Sequence, residues 1–159
     1  MAFEIVEATV SDVDEILECW VNLVEGQRSY GSHIVGEPNR AAARDLLGQY
    51  VAGDMLDVAT ATDGGAEELL GFVMFYRESG LYEQSVVRGV IENVYVKPRV
   101  RGQGIGSALL SRAETKLADR GADVVAISAM AENETAIQWY RDRGYTPQRL
   151  MMERSLEED

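Results

Sequence analysis

A chain of 159 residues, 46% hydrophobic and 26% charged, has the size and composition of one globular domain spanning 1–159. Its net charge of −12 repels nucleic-acid phosphates and anionic lipid in bulk, so neither is an expected partner. One cysteine (Cys19) and one histidine (His33) exclude an intramolecular disulfide and argue against a metal site, and no apolar run nears the ~20 residues that cross a bilayer. The opening Met1 to Glu7 lacks a basic leader segment, so a soluble, cytoplasmic protein is expected.

Phe3 to Ala8 alternates and reads as a strand. Ser11 or Asp12 can cap a helix that carries Val13, Ile16, Leu17, Trp20, Leu23 and Val24 at helical spacing. Gly26 to Pro38 reads as a loop, and a second helix runs from Asn39 or Arg40 to Ala52, with Gly53 as its stop. Three strand-like runs follow, Leu56 to Thr62, Leu69 to Tyr76 and Val86 to Val96; Asp63-Gly64-Gly65 is hairpin chemistry between the first two. Gly104 to Arg120 then places Ile105, Leu109, Leu110, Ala113 and Leu117 on one helical face, ended by Gly121. Val124 to Met130 is the nearly continuous apolar run of a strand covered on both faces. A short helix from Glu134 to Arg143 stops at Gly144, and Leu150 to Ser155 reads as a last strand. A meander followed by alternating strand and helix predicts an α/β fold, a mixed sheet with helices on both faces.

Charge is distributed unevenly. Thirteen arginines accompany only two lysines, Lys97 and Lys116. Such lysine-poor acidic surfaces suit a salt-loaded cytoplasm, where ionic strength screens self-repulsion; they also occur in ordinary acidic proteins. From Asn93 to Ala113 there is no acid, while Lys97, Arg99, Arg101 and Arg112 fall inside this stretch. A cationic island in an acidic chain points to an anionic ligand.

Within the island, Val94-Tyr95-Val96 leads through a basic turn into Arg101-Gly102-Gln103-Gly104-Ile105-Gly106-Ser107, at the start of a long helix. Unpaired backbone N–H groups and the helix dipole favour an anion there, and glycines let a diphosphate approach without Cβ clashes. The dinucleotide fingerprint fails because Ser107 stands where a glycine is needed, and the Walker pattern fails because no lysine follows Gly106.

Arg101, Gly104 and Gly106 instead resemble the Arg-x-x-Gly-x-Gly loop of the GCN5-related N-acetyltransferases. The strand Ile91 to Val96, the run Val124 to Met130, Asn133 at the next helix start, and Tyr140 followed by Gly144-Tyr145 resemble the family in the same order. The specific likeness spans roughly Gly89 to Leu156. It implies the acyl-CoA N-acyltransferase fold, with a mostly antiparallel central sheet whose fourth strand bulges and splays from the fifth. By the same resemblance Arg101 to Ser107 cradle the pyrophosphate of acetyl-CoA, the strand backbone at Val94, Tyr95 and Val96 pairs with pantetheine, and Asn133 meets the pantetheine arm. Asn133 and Tyr140 stand two helical turns apart, about 10.5 Å, so they share a face.

The implied reaction moves acetyl from acetyl-CoA directly to a primary amine of a small molecule or peptide. Tyr140 is the implied general acid for the leaving thiolate and Glu92 the base candidate. Tyr30 and His33 lie in the loop expected over the acceptor. Cys19, without a paired histidine, reads as a packed core thiol. A sensor that binds acyl-CoA without turnover is the alternative, but it has no need of a general acid. Many relatives end in a two-strand hairpin, whereas about one strand's worth of residues remains here before Glu157-Glu158-Asp159, so a homodimer of this chain lacks that hairpin.

Overall fold

A computed structural model describes residues 1–157; Glu158 and Asp159 of the acidic tail lie outside the described residues. The five strands are β1 (Phe3–Glu7), β2 (Leu56–Ala61), β3 (Leu69–Arg77), β4 (Arg88–Val96) and β5 (Val124–Ile127). They form one sheet in the order β1-β2-β3-β4-β5. The first three pairings are antiparallel and β4–β5 is parallel, as the mixed-sheet expectation requires. A parallel pair needs a crossover, and α3 (Ile105–Asp119) supplies it.

Alternation in β3 divides the core. Phe72 and Met74 face α1 (Val13–Arg28) and α2 (Arg40–Ala52), where Ile16, Leu17 and Leu47 meet them. Val73 and Phe75 face the other side, against Leu109, Leu110 and Leu117 of α3. The short α4 (Glu134–Asp142) joins this second side through Trp139 and Tyr140.

The first two helices keep the expected Asp12 N-cap and Gly53 stop, with local detail added, and the last expected strand is lost. The first helix is entered one turn early, through a 3₁₀ turn at Val10–Asp12, with the Thr9 N–H donating to the Asp12 carboxylate at 2.8 Å. After α2 the left-handed residue is Asp54 (φ 55°), not Gly53 (φ −89°). Asp54 is held there by its carboxylate, which meets Lys116 at 2.9 Å and Arg120 at 3.0 Å. The expected strand Leu150 to Ser155 does not form. β5 is only four residues long and offers little edge, so Leu150, Met151 and Met152 stay 72%, 83% and 83% exposed.

One charge in the core ties the crossover helix to the sheet. The Asp57 carboxylate on β2 is fully buried and accepts from Arg112 Nε at 3.1 Å and Lys116 Nζ at 2.9 Å. Burial works against the Lys116 charge, but the hydrogen bonds to Asp57 and Asp54 outweigh it and raise its pKa. Lys116→Met, which leaves a buried carboxylate half-paired, is expected to cost about 3–5 kcal/mol of stability. Asp57→Leu with Lys116→Met removes both charges and is expected to be the milder change. Denaturant titration of the two variants checks the order, and a double variant less stable than the single one would show the pair to be a net stabiliser.

Candidate active site

The site is organised by a break in sheet regularity. β3 and β4 pair Tyr76 with Val90 and Phe75 with Ile91, then resume at Met74 with Asn93. Glu92 is therefore the extra residue of a bulge, which twists the strand and re-aims its side chain. On the other side, β4 pairs with β5 only from Arg88 to Ile91, opposite Val124 to Ile127. Beyond that point Asn93 to Val96 have no strand neighbour on the β5 side, and the two strands splay. Val94 and Val96 pack toward the α3 side, while Tyr95 is buried on the α1/α2 side.

Just past the splay, the loop from Arg101 to Gly104 turns the chain into α3. Gly102 and Gly104 adopt φ of 79° and 85°, left-handed conformations that side chains resist. The N–H groups from Gly102 to Ser107 donate to no protein group among the described residues; the ladder of α3 starts at Ala108 N–H to the Gly104 carbonyl, 3.1 Å. A Cβ on Gly102 or Gly104 would meet nothing within 4 Å, so the loop is open at these two positions. At Gly106 a Cβ would come 3.1 Å from the Trp139 ring, which brings α4 against the loop. Ile105 is buried beneath, whereas Gln103 is exposed. This amide-lined cradle fits a diphosphate.

The cationic island is smaller in space than in sequence. Lys97 pairs with Glu15 at 3.1 Å, Arg99 with Glu68, and Arg112 with the buried Asp57. Of the four, Arg101 alone has no carboxylate partner among the described residues. Its Nε donates to the Val96 carbonyl at 2.8 Å and its guanidinium lies 5.4 Å from the Tyr95 ring centre. The correction follows from long-range acids at positions 15, 57 and 68, which local composition does not reveal.

Asn133 caps α4, its Oδ1 accepting from the Ala136 N–H at 3.2 Å. Two turns on, the half-buried Tyr140 ring sits 5.3 Å from Trp139 and 6.0 Å from Tyr145. Burial raises the pKa of its phenol, so the hydroxyl keeps its proton. The helix end is clamped to α3. Arg143 donates to Ser111 (3.1 Å) and to Glu114 (2.9 Å), and the Tyr145 hydroxyl donates to the second Glu114 oxygen at 2.9 Å.

Glu92 belongs to the opposite face. It is exposed, and its Oε2 accepts a hydrogen bond from the Tyr50 hydroxyl on α2. Tyr50 packs into the α1/α2 core and stands edge-on to Tyr76, rings 6.4 Å apart at 86°. Tyr140 and Glu92 thus belong to opposite sides of the sheet. Tyr50 and Tyr76 were not singled out in the sequence; the helical spacing of Ala43, Leu47 and Tyr50 marks a core face, but nothing local ties it to Glu92.

Tyr30 and His33 lie just past α1 and are exposed. The segment lies near the end of β5, since a Cβ on Gly31 would stand 3.9 Å from Met130 Cε. His33 Nε2 is engaged at 2.8 Å by Glu153 of the C-terminal segment, and no hydrogen bond links either residue to Glu92 or Tyr140. Cys19 is buried in the α1/α2 core, and burial pushes its thiol pKa up to about 11, which leaves it an inert thiol near neutrality. Among the described residues no three metal-ligating side chains gather, and no helix is long and apolar enough to cross a membrane.

The sequence pattern of the acetyltransferase (GNAT) family matches residues 20–145, and the chain belongs to that family. It is an acyltransferase, and proteins of this family use acetyl-CoA as co-substrate. The chain is similar to an aminoalkylphosphonate N-acetyltransferase of Salmonella typhimurium, 24% identical over 96% of this chain and 91% of that one. A thialysine N-epsilon-acetyltransferase of Sus scrofa is 29% identical over 48% of this chain and 44% of its own. Among solved structures, a chain of the NatC complex bound to Gag peptide and CoA shares the fold, with a TM-score of 0.71 and 17% identity over 94% of this chain and 87% of that one.

The raised pKa values carry a pH signature. Cys19 moves from 9.0 to about 11 on folding, and Tyr140 and Lys116 also move up. A group whose pKa rises on folding stabilises below its unfolded pKa, and that contribution is lost as pH climbs through the folded value. Stability is therefore expected to fall from about pH 9 to 11, and Cys19→Ala to flatten the early part of the decline. Denaturation midpoints measured across this range check both outcomes.

Proposed function

We propose that the protein transfers acetyl from acetyl-CoA directly to a primary amine carried on a flexible alkyl chain. The observation that carries this reading is the splay of β4 from β5 directly beside the open amides of Gly102 to Ser107. A thioester whose diphosphate sits at those amides lies along the free edge of Val94, Tyr95 and Val96, where backbone groups can pair with its amide arm. Arg101 adds the one charge of the island not already neutralised, and Asn133 lines the arm from α4. The similar aminoalkylphosphonate and thialysine acetyltransferases support an alkylamine acceptor.

In this reading the amine approaches from the α1/α2 side. An alkylammonium with pKa ~10.4 is about one part in a thousand free base near neutrality, so a proton must leave before attack. Glu92 takes it, directly or through one water. The amine nitrogen then bonds to the acetyl carbonyl carbon as the carbon–sulfur bond breaks, the Tyr140 phenol protonates the departing sulfur, and the second nitrogen proton returns through water to the Tyr140 phenolate, leaving a neutral amide and thiol. Tyr140, kept protonated by burial, supplies the sulfur proton from the opposite side of the sheet. Tyr30 and His33 flank the acceptor approach; the Glu153 contact makes His33 a tether of the C-terminal segment rather than a second base.

Two variants separate binding from chemistry. Gly104→Glu places a carboxylate among the amides at a position whose φ of 85° already resists a side chain. It is expected to abolish CoA binding by calorimetry with the fold retained; undiminished affinity would remove the cradle assignment. Tyr140→Phe keeps the ring packing and deletes one oxygen. Single-turnover rates are expected to fall ~10²–10⁴-fold, about 3–5 kcal/mol of barrier, with acetyl-CoA affinity nearly unchanged. A loss below about tenfold would exclude Tyr140 as the proton donor.

A further inference from the structure

A glutamate on an exposed bulge has rotatable bonds to lose before it can act as a base, and Glu92 is held at one point only. The restraint comes from a different layer of the fold. Tyr50, in the last turn of α2, donates its hydroxyl to Glu92 Oε2. Its own ring is fixed by the α1/α2 core on one side and by the edge-on contact with Tyr76, at 6.4 Å and 86°, on the other. Tyr76 pairs with Val90, next to the bulge that begins after Ile91, so wall and carboxylate are carried by the same stretch of β3–β4 ladder.

We propose that Tyr50 is a positioning residue that clamps the Glu92 carboxylate at the splay, occupying Oε2 and leaving Oε1 to accept the proton of the incoming amine. This deepens the reading of Glu92 as the base and rests on it. The geometry divides the two oxygens: among the described residues Tyr50 is the hydrogen-bond partner of Oε2, and Oε1 has none. Tyr50 brings little conformational freedom of its own, since its ring is packed on both sides. Its phenol pKa is raised by burial and by the Glu92 hydrogen bond, so it remains a donor over the working range. A carboxylate released from the clamp samples other rotamers, and misplacement by about 1 Å can cost up to ~10²-fold in rate.

The test is a double-mutant cycle on the intact protein, with acetyl-CoA and an alkylamine panel. Tyr50→Phe keeps the ring and its contact with Tyr76, so folding should survive. Its single-turnover rate is expected to fall about tenfold or more, while acetyl-CoA affinity stays at the wild-type value. In a Glu92→Gln background the same change is expected to cost less than twofold, because no base remains to position. Additive losses in the two backgrounds would overturn the clamp, since Tyr50 would then act independently of Glu92. A loss below twofold in Tyr50→Phe alone, with Glu92→Gln impaired, would also overturn it and leave the base assignment standing. Unchanged activity in Glu92→Gln would sink the base assignment and the clamp together.

Discussion

Everything at the site depends on one failure of strand pairing. β4 is hydrogen-bonded to β5 over four residues and then leaves it, and a single inserted residue, Glu92, marks the departure. A fully zipped sheet is an impermeable wall, with backbone groups satisfied and side chains committed to one core or the other. Ending the β4–β5 ladder at Ile91 leaves the backbone of Asn93 to Val96 without a strand partner on that side. The cost is tolerated because the rest of β4 is well anchored, with Ile91 and Tyr95 buried in opposite cores.

Tyr140 and Glu92 come from different layers of the fold. Tyr140 rides on α4, which packs with α3, whereas Glu92 is met by α2. Each layer is locked separately: α4 by the Arg143–Glu114–Tyr145 clamp, and α3 by the buried Asp57.

The parts legible in the sequence are those encoded locally. Helical spacing in Ile105, Leu109, Leu110 and Leu117, the glycines before α3, and the stop at Gly144 all act within a turn or two of their own position. What escaped was long-range. Asp57 sits in an apolar strand with nothing nearby to announce Lys116 and Arg112, and Tyr50 finds Glu92 across 42 residues. Leu150 to Ser155 has strand composition, but the β5 edge is only four residues long, and strand formation depends on a neighbour as much as on propensity.

The same long-range pairing decides how an anion can be held by so acidic a chain. Three of the four cations around the glycine loop are spent on carboxylates, two of them close to the loop itself. Attraction of a diphosphate by net charge is therefore not available, and a −12 surface opposes it at long range. What remains is a run of neutral dipoles from Gly102 to Ser107, which act over a few ångströms and add no charge that neighbouring acids could neutralise. Ionic strength screens the long-range repulsion, while hydrogen bonds at contact distance are screened much less. Arg101, stacked beside Tyr95 and bonded to the Val96 carbonyl, adds its charge from a fixed position at the mouth of the same opening.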